Sequence, residues 1–180
     1  MKAQADLYIN RITNRIVCLP LRGTYTWSMM NYGYTFCRGL NATVNGRFAT
    51  SDWNFSLLTS FTLQRDLDRT DRESELYNKP ICYSPTFSCG ITAIAGWQRA
   101  SLTVSNLYVG RRMWSYADPD DTLKPYSNVD MKLSYTHPFG RNIDCGVTLE
   151  VNDLFDVQYE HVPRYPMPGR NYRLTLTFSI

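Results

Sequence analysis

The chain has 180 residues, a formal net charge of +3, 43% hydrophobic residues and 14% aromatics. That length suits one domain, and so mild a charge lacks the dense basic face of a nucleic-acid binder. No run approaches the ~18–20 apolar residues of a membrane helix, and the opening MKAQADLYIN has no apolar core of a secretory signal.

In chain order, eight stretches alternate apolar and polar residues, the period of a strand dividing two environments. The first sets Ala3, Ala5, Leu7 and Ile9 against Gln4, Asp6 and Asn10. The second sets Leu40, Ala42, Val44 and Phe48 against Asn41, Thr43, Asn45 and Arg47. In the third, Trp53, Phe55, Leu57, Phe61 and Leu63 oppose Asn54, Ser56, Ser60 and Thr62. In the fourth, Phe87, Cys89, Ile91, Ala93, Ala95 and Trp97 share a face. The fifth, ASLTVSNLYVG, loses its phase after Val104.

The sixth places Val129, Met131, Leu133 and Tyr135 opposite Asn128, Asp130, Lys132 and Ser134. The seventh opposes Ile143, Cys145, Val147, Leu149 and Val151 to Asp144, Thr148, Glu150 and Asn152. The last sets Tyr172, Leu174, Leu176, Phe178 and Ile180 against Asn171, Arg173, Thr175, Thr177 and Ser179. No segment sustains a helical period. The pattern predicts an all-β chain.

Short connections (49–52, 98–99, 138–142) alternate with long ones (13–38, 65–86, 111–127, 156–170). The charged run RDLDRTDRESE lies within the second long one. An up-and-down meander with short turns at one rim and long polar loops at the other is the plan of an outer-membrane barrel wall. A lipocalin-like carrier or a sandwich also alternates. Three features favour the membrane wall. The strands are about ten residues long, as a tilted membrane strand requires. Aromatics gather at strand ends: Tyr8, Phe48, Trp53, Trp97, Tyr108, Tyr126, Tyr135, Phe139, Phe155, Tyr159, Tyr172 and Phe178. The polar faces carry Asp6, Arg47, Asp130, Lys132, Asp144, Glu150 and Arg173, which suit water better than a dry core.

The segment VNDLFDVQYEHVPRYPMPGRNYRLTLTF resembles the C-terminal signature of TonB-dependent outer-membrane receptors, with Leu154, Phe155, Asp156, Tyr159, Pro168, Gly169 and Arg170 in its key places. ADLYINRITNRIV, WSMMNYG, YSPTFSCG and NLYVGRR are similar to successive strands and loops of the same barrels. The terminal Ile180 departs from the usual aromatic. The resemblance implies that residues 1–180 are the C-terminal portion of such a barrel. The expected fold is a transmembrane antiparallel up-and-down meander, an open curved sheet of about eight strands forming the last part of a wall of about 22 strands. Signal peptide, TonB-contacting box and plug would lie outside it. A closed eight-stranded barrel is the alternative.

The implied function is active uptake of a scarce nutrient: an iron-siderophore, haem, cobalamin or an oligosaccharide. The implied partners are outer-membrane lipid, the barrel-assembly machinery and, through the plug, the TonB complex; nucleic acid is not among them. Leu174, Leu176 and Phe178 are expected to face lipid. Tyr25, Trp27, Arg65, Trp114, Tyr116 and Arg164 are ligand-contact candidates from the long loops. The competing class is a small structural or adhesive outer-membrane barrel.

Chemistry motifs are scarce. His137 and His161 lack ligand spacing and read as solvated turn or loop residues, and Cys82 and Cys89 lack the spacing of a zinc site. Cys89 and Cys145 fall on the apolar phase, and Cys18 and Cys37 lie in or beside the first long connection, where an oxidising setting would permit a disulfide between them. ADPDD could hold Ca²⁺, though a solvated loop is the simpler reading. With no nucleophile elbow, phosphate loop or triad, no catalytic residue, metal or cofactor is expected, and the chain does not read as an enzyme.

Overall fold

A strand's amides and carbonyls point sideways, so in hydrocarbon each alternating segment must pair along both edges. The computed structural model describes residues 1–20, 27–116, 120–139 and 143–179. It forms β1 (Lys2–Pro20), β2 (Trp27–Ala49), β3 (Trp53–Asp68), β4 (Phe87–Trp97), β5 (Ala100–Val109), β6 (Arg112–Met113), β7 (Thr122–Leu123), β8 (Tyr126–Pro138), β9 (Asp144–Asn152), β10 (Glu160–Val162), β11 (Tyr165–Pro166) and β12 (Asn171–Ser179). An eight-stranded sheet runs β1-β2-β3-β4-β5-β8-β9-β12, with β6-β7 and β10-β11 as separate two-stranded sheets. Every pairing is antiparallel. β1 and β12 stand at opposite edges, so the sheet is open and the closed eight-stranded alternative is set aside.

Register carries the alternation from strand to strand. Directly opposed residues share a face, and one row runs Phe48, Phe55, Ala95, Leu102, Leu133, Leu149, Leu174. A parallel row runs Trp53, Trp97, Ala100, Tyr135, Val147, Leu176. Leu174, Leu176 and Phe178 therefore belong to one apolar face spanning the sheet. That face is bare: Leu7 is 84% exposed, Phe48 64% and Leu174 65%. A soluble protein rarely leaves so continuous an apolar surface uncovered. What core there is lies in the long connections, around Ile81 and Cys82 with Tyr83, Met113 and Tyr116 against them.

Aromatics mark the short-turn end of this face, where Trp53 lies 5.7 Å from Phe55 and 6.1 Å from Trp97. Toward the other end Phe87 meets Tyr108 at 5.8 Å. Tyr8 and Tyr126 depart from the expected girdles, because their strand positions put both on the polar face. Tyr8 donates to Gln64 Oε1 at 3.3 Å and covers Gly39, where an added Cβ would lie 2.5 Å from the tyrosine oxygen.

The first long connection is corrected most. Much of 13–38 is strand, β1 and β2 staying paired out to Pro20 and Trp27. Toward the outer end side chains lose their period while the backbone ladder continues, with Thr35 and Cys37 buried there and Tyr34 bonded to Thr70 of the second long connection. The third and fourth long connections contain the β6–β7 and β10–β11 hairpins. Cys18 opposes Met29 and Cys37 opposes Asn10, so the two are eight residues apart along β1. That is about 26 Å, beyond disulfide reach, and Cys37 is a free thiol.

Candidate functional site at the long-connection rim

The polar face is built from short side chains that satisfy one another across the ladder. Thr148 bonds Ser134 at 3.1 Å, Thr92 pairs with Ser105 at 3.2 Å, and Asn152 donates to Asn171 at 2.8 Å. Glu150 lies between Lys132 (3.7 Å) and Arg173 (3.3 Å), both directly opposite it on the flanking strands. Toward the rim a polar chain joins β3, a loop and β1. Gln64 donates to Ser84 Oγ at 3.0 Å, and Ser84 donates to Asp66 at 2.8 Å. Arg15, just after the left-handed Asn14 (φ 56°), reaches Asp66 at 4.0 Å. Such a face can be wetted and can offer donors and acceptors to a polar solute.

Above it the long connections interlock. The Arg112 guanidinium, buried at 5% exposure, donates to Glu160 O at 2.9 Å and lies 5.3 Å over the Tyr126 ring. Tyr126 stacks on Tyr159 at 4.1 Å, and His161 meets both rings edge-on at 5.7 and 5.5 Å. Burial lowers the Arg112 pKa from its ordinary value. Burial, then Asp153 and Asp130, raises that of Tyr159. On the other side, Tyr116 donates to Pro80 O at 2.8 Å and the Tyr83 amide donates to Met113 O at 2.7 Å. Burial there pushes the Cys82 thiol up to about 11.

The LFD…PGR segment owes its residues to local geometry. Asp153 Oδ1 accepts from the Val157 amide at 3.0 Å, and the Asp153 amide donates to Asp130 at 2.9 Å. Asp156, itself left-handed (φ 55°), accepts from the Arg170 amide at 2.9 Å. Gly169 is required beside it, since a Cβ there would stand 2.5 Å from Asp156 Oδ1.

An eight-stranded open meander with one apolar face, one polar face and loops knotted at a single rim can be set beside known proteins. A family model described as TonB dependent receptor-like, beta-barrel, matches residues 1–154. The chain belongs to this family. It is an all-β segment of a TonB-dependent receptor barrel, a class of the outer membrane. Among solved structures, the ferric-catecholate import receptor Fiu of E. coli K12, in its closed form, superposes with a TM-score of 0.66 at 22% identity, covering 97% of this chain and 24% of that one. The siderophore receptor PiuA of Acinetobacter baumannii gives 0.64 at 17% identity, covering 97% and 25%. At these identities the likeness is one of fold, and the chain spans about a quarter of either receptor. No curated protein matches.

In this TonB-dependent receptor barrel the five described candidate ligand residues are dispersed. Tyr25 lies outside the described residues. Trp27 opposes Pro20 at the far end of the first hairpin. Arg65 takes the phase of Phe61 and Leu63, on the apolar face, and opposes Arg38. Trp114 and Tyr116 fall together in the β6–β7 connection, where the Trp114 amide donates to Asp121 O at 3.0 Å. Arg164 occupies the β10–β11 turn with φ 68°, its amide donating to Glu160 at 3.0 Å.

Arg112, Tyr126, Tyr159 and His161 are the rim residues that alternation misses. His161, read as a solvated loop residue, is exposed yet belongs to the aromatic cluster. Its only sequence signal is Tyr159 two places earlier. Among the described residues no group of His, Cys, Asp and Glu is placed to hold a metal. Residues 117–119 of the ADPDD run lie outside them.

Proposed function

We propose that this chain is part of the wall of an outer-membrane receptor that imports a scarce nutrient, of the iron-siderophore class, with energy delivered through TonB. Family membership over residues 1–154 supports the receptor. The siderophore class is favoured over haem, cobalamin or oligosaccharide by the descriptions of the two structural neighbours as ferric-catecholate and siderophore receptors. The observation that carries the reading is the division of the sheet into an apolar face and a hydrogen-bonded polar face that ends beneath interlocked loops. In this reading lipid covers Leu174, Leu176 and Phe178, and the solute passes the polar face. The plug and its TonB contact, and recognition by the barrel-assembly machinery, belong to the assembled receptor. Ligand contact falls to Trp114, Tyr116 and Arg164, with Trp27 at the far end of the β1–β2 ladder.

The test is growth of iron-limited cells lacking the receptor, supplied with one iron chelate at a time. Loss of growth on a single siderophore class, restored by the receptor, is the expected outcome. Unchanged iron uptake together with loss of cobalamin or oligosaccharide uptake contradicts the siderophore assignment.

A further inference from the structure

The charges on the apolar face are confined to one spot. Following the register from Ala3 to Arg11 and across β2, β3, β4, β5, β8, β9 and β12, no described Asp or Glu falls on that face. Three arginines do. Arg38 stands directly opposite Arg65 on β3 and opposite Ile9 on β1, and Arg11 is the next residue of β1 on the same face. All three are exposed and make no ion pair with any described residue.

Like charges directly across a ladder repel, so two facing arginines with no described acid on their face and no ion pair call for an anion from outside the sheet. Their depth is informative. Arg65 lies twelve residues beyond Trp53 on β3, about 40 Å along the strand and about 30 Å in height at a tilt near 40°. The hydrocarbon layer is about 30 Å thick, so a band that starts at Trp53 ends at Arg65. Below the pair, Leu7, Leu40 and Leu63 line a groove of about 750 Å³ that also takes in Ile9, Arg38 and Arg65.

We propose that Arg38 and Arg65, with Arg11 beside them, clamp the phosphate headgroup of an outer-leaflet lipid, one acyl chain lying along Leu7, Leu40 and Leu63. Guanidinium forks match phosphate oxygens in pairs, and the apolar groove beneath selects a lipid over free phosphate. The site lies on the face away from the solute path. It rests on the membrane placement of this face and adds a specific ligand to it.

The test is retention of diphosphorylated lipid A by the full chain in neutral detergent micelles, counted by native mass spectrometry, with circular dichroism checking the sheet. Phosphatidylcholine and inorganic phosphate are the comparison probes, and Arg47→Gln, on the polar face, is the control variant. Lipid A should be retained by the unaltered chain and by Arg47→Gln, and about ten-fold or more less by the Arg38→Gln, Arg65→Gln double variant. Phosphatidylcholine should show no such dependence. If the sheet forms only when lipid is added, folding becomes the readout, and lipid A should restore it for the unaltered chain and not for the double variant.

Equal retention or equal restoration by the double variant overturns the clamp while leaving the receptor reading intact. Full displacement of lipid A by millimolar phosphate overturns the lipid and leaves an anion site only. Failure of lipid A either to bind or to restore the sheet also overturns it.

Discussion

Arg173 Nη1 lies 3.3 Å from Glu150 Oε2, directly across the β9–β12 ladder, and Lys132 meets the same carboxylate from β8 at 3.7 Å. The Arg173 side chain is 65% exposed, so water screens the pair. Replacing Glu150 with Gln should then cost only about 0–1 kcal/mol of stability, read from urea unfolding in lipid vesicles. If this face were a dry interior, stranding two cations would cost about 3–5 kcal/mol. A loss of that size contradicts a wetted polar face.

Gly169→Ala probes the LFD…PGR segment. The added methyl would press on Asp156 Oδ1, which accepts from the Arg170 amide. Freeing that amide should cost about 1–3 kcal/mol locally. Limited proteolysis should therefore cut faster within 157–170 while the β-sheet circular dichroism is unchanged. Equal cleavage rates contradict the role assigned to Asp156.

Arg112→Met tests the knot between the loops. It leaves Glu160 O without its 2.9 Å donor and removes the cation over Tyr126. Hydrogen exchange should speed up in β10 and β11, with β3 to β5 unaffected. Uniform acceleration would mean that Arg112 supports the sheet as a whole.

Cys82 supplies a pH test. Burial raises its thiol pKa from 9.0 to about 11, so the fold favours the protonated form. That contribution is complete below 9.0 and fades as pH rises toward about 11. At pH 8 the buried site holds about 100-fold less thiolate than an unfolded one. Alkylation of Cys82 should be correspondingly slow until urea is added, and Tyr116→Ala, which removes a neighbour from this cluster, should hasten it. Rapid alkylation of the folded chain contradicts the packing around Ile81.

Most of the sheet is legible in the sequence because lipid and water impose opposite demands on neighbouring residues. Wherever both act, as from Trp53 to Leu63 or Leu174 to Phe178, the period appears. Where protein packs on the ladder instead, as over Thr35 and Cys37, it fades, which hides the outer halves of β1 and β2 behind an apparent loop. Leu58, Ile94 and Leu107 are apolar residues on the polar face, opposite Asn45, Ser56 and Gly90. Leu107 follows Asn106, which sits on the apolar face and donates to Ser127 at 2.6 Å, so the phase of β5 blurs there. The rim contacts of Arg112, Tyr126, Tyr159 and His161 join distant loops, and no local pattern encodes such pairings. Arg65 continues the phase of Phe61 and Leu63 in the sequence, but its place opposite Arg38 depends on the register of β2 with β3, which no local pattern encodes.

The measurement that bears most directly on the whole account is an arginine scan of β12 in lipid vesicles, reading unfolding free energy. Arginine at Leu174, Leu176 or Phe178 should destabilise, the largest of the three losses reaching about 2–4 kcal/mol, as expected for a lipid-facing site near mid-bilayer. Arginine at Thr175 or Thr177 should cost less than about 1 kcal/mol. Losses that do not alternate with the strand period contradict the assignment of lipid to one face and water to the other.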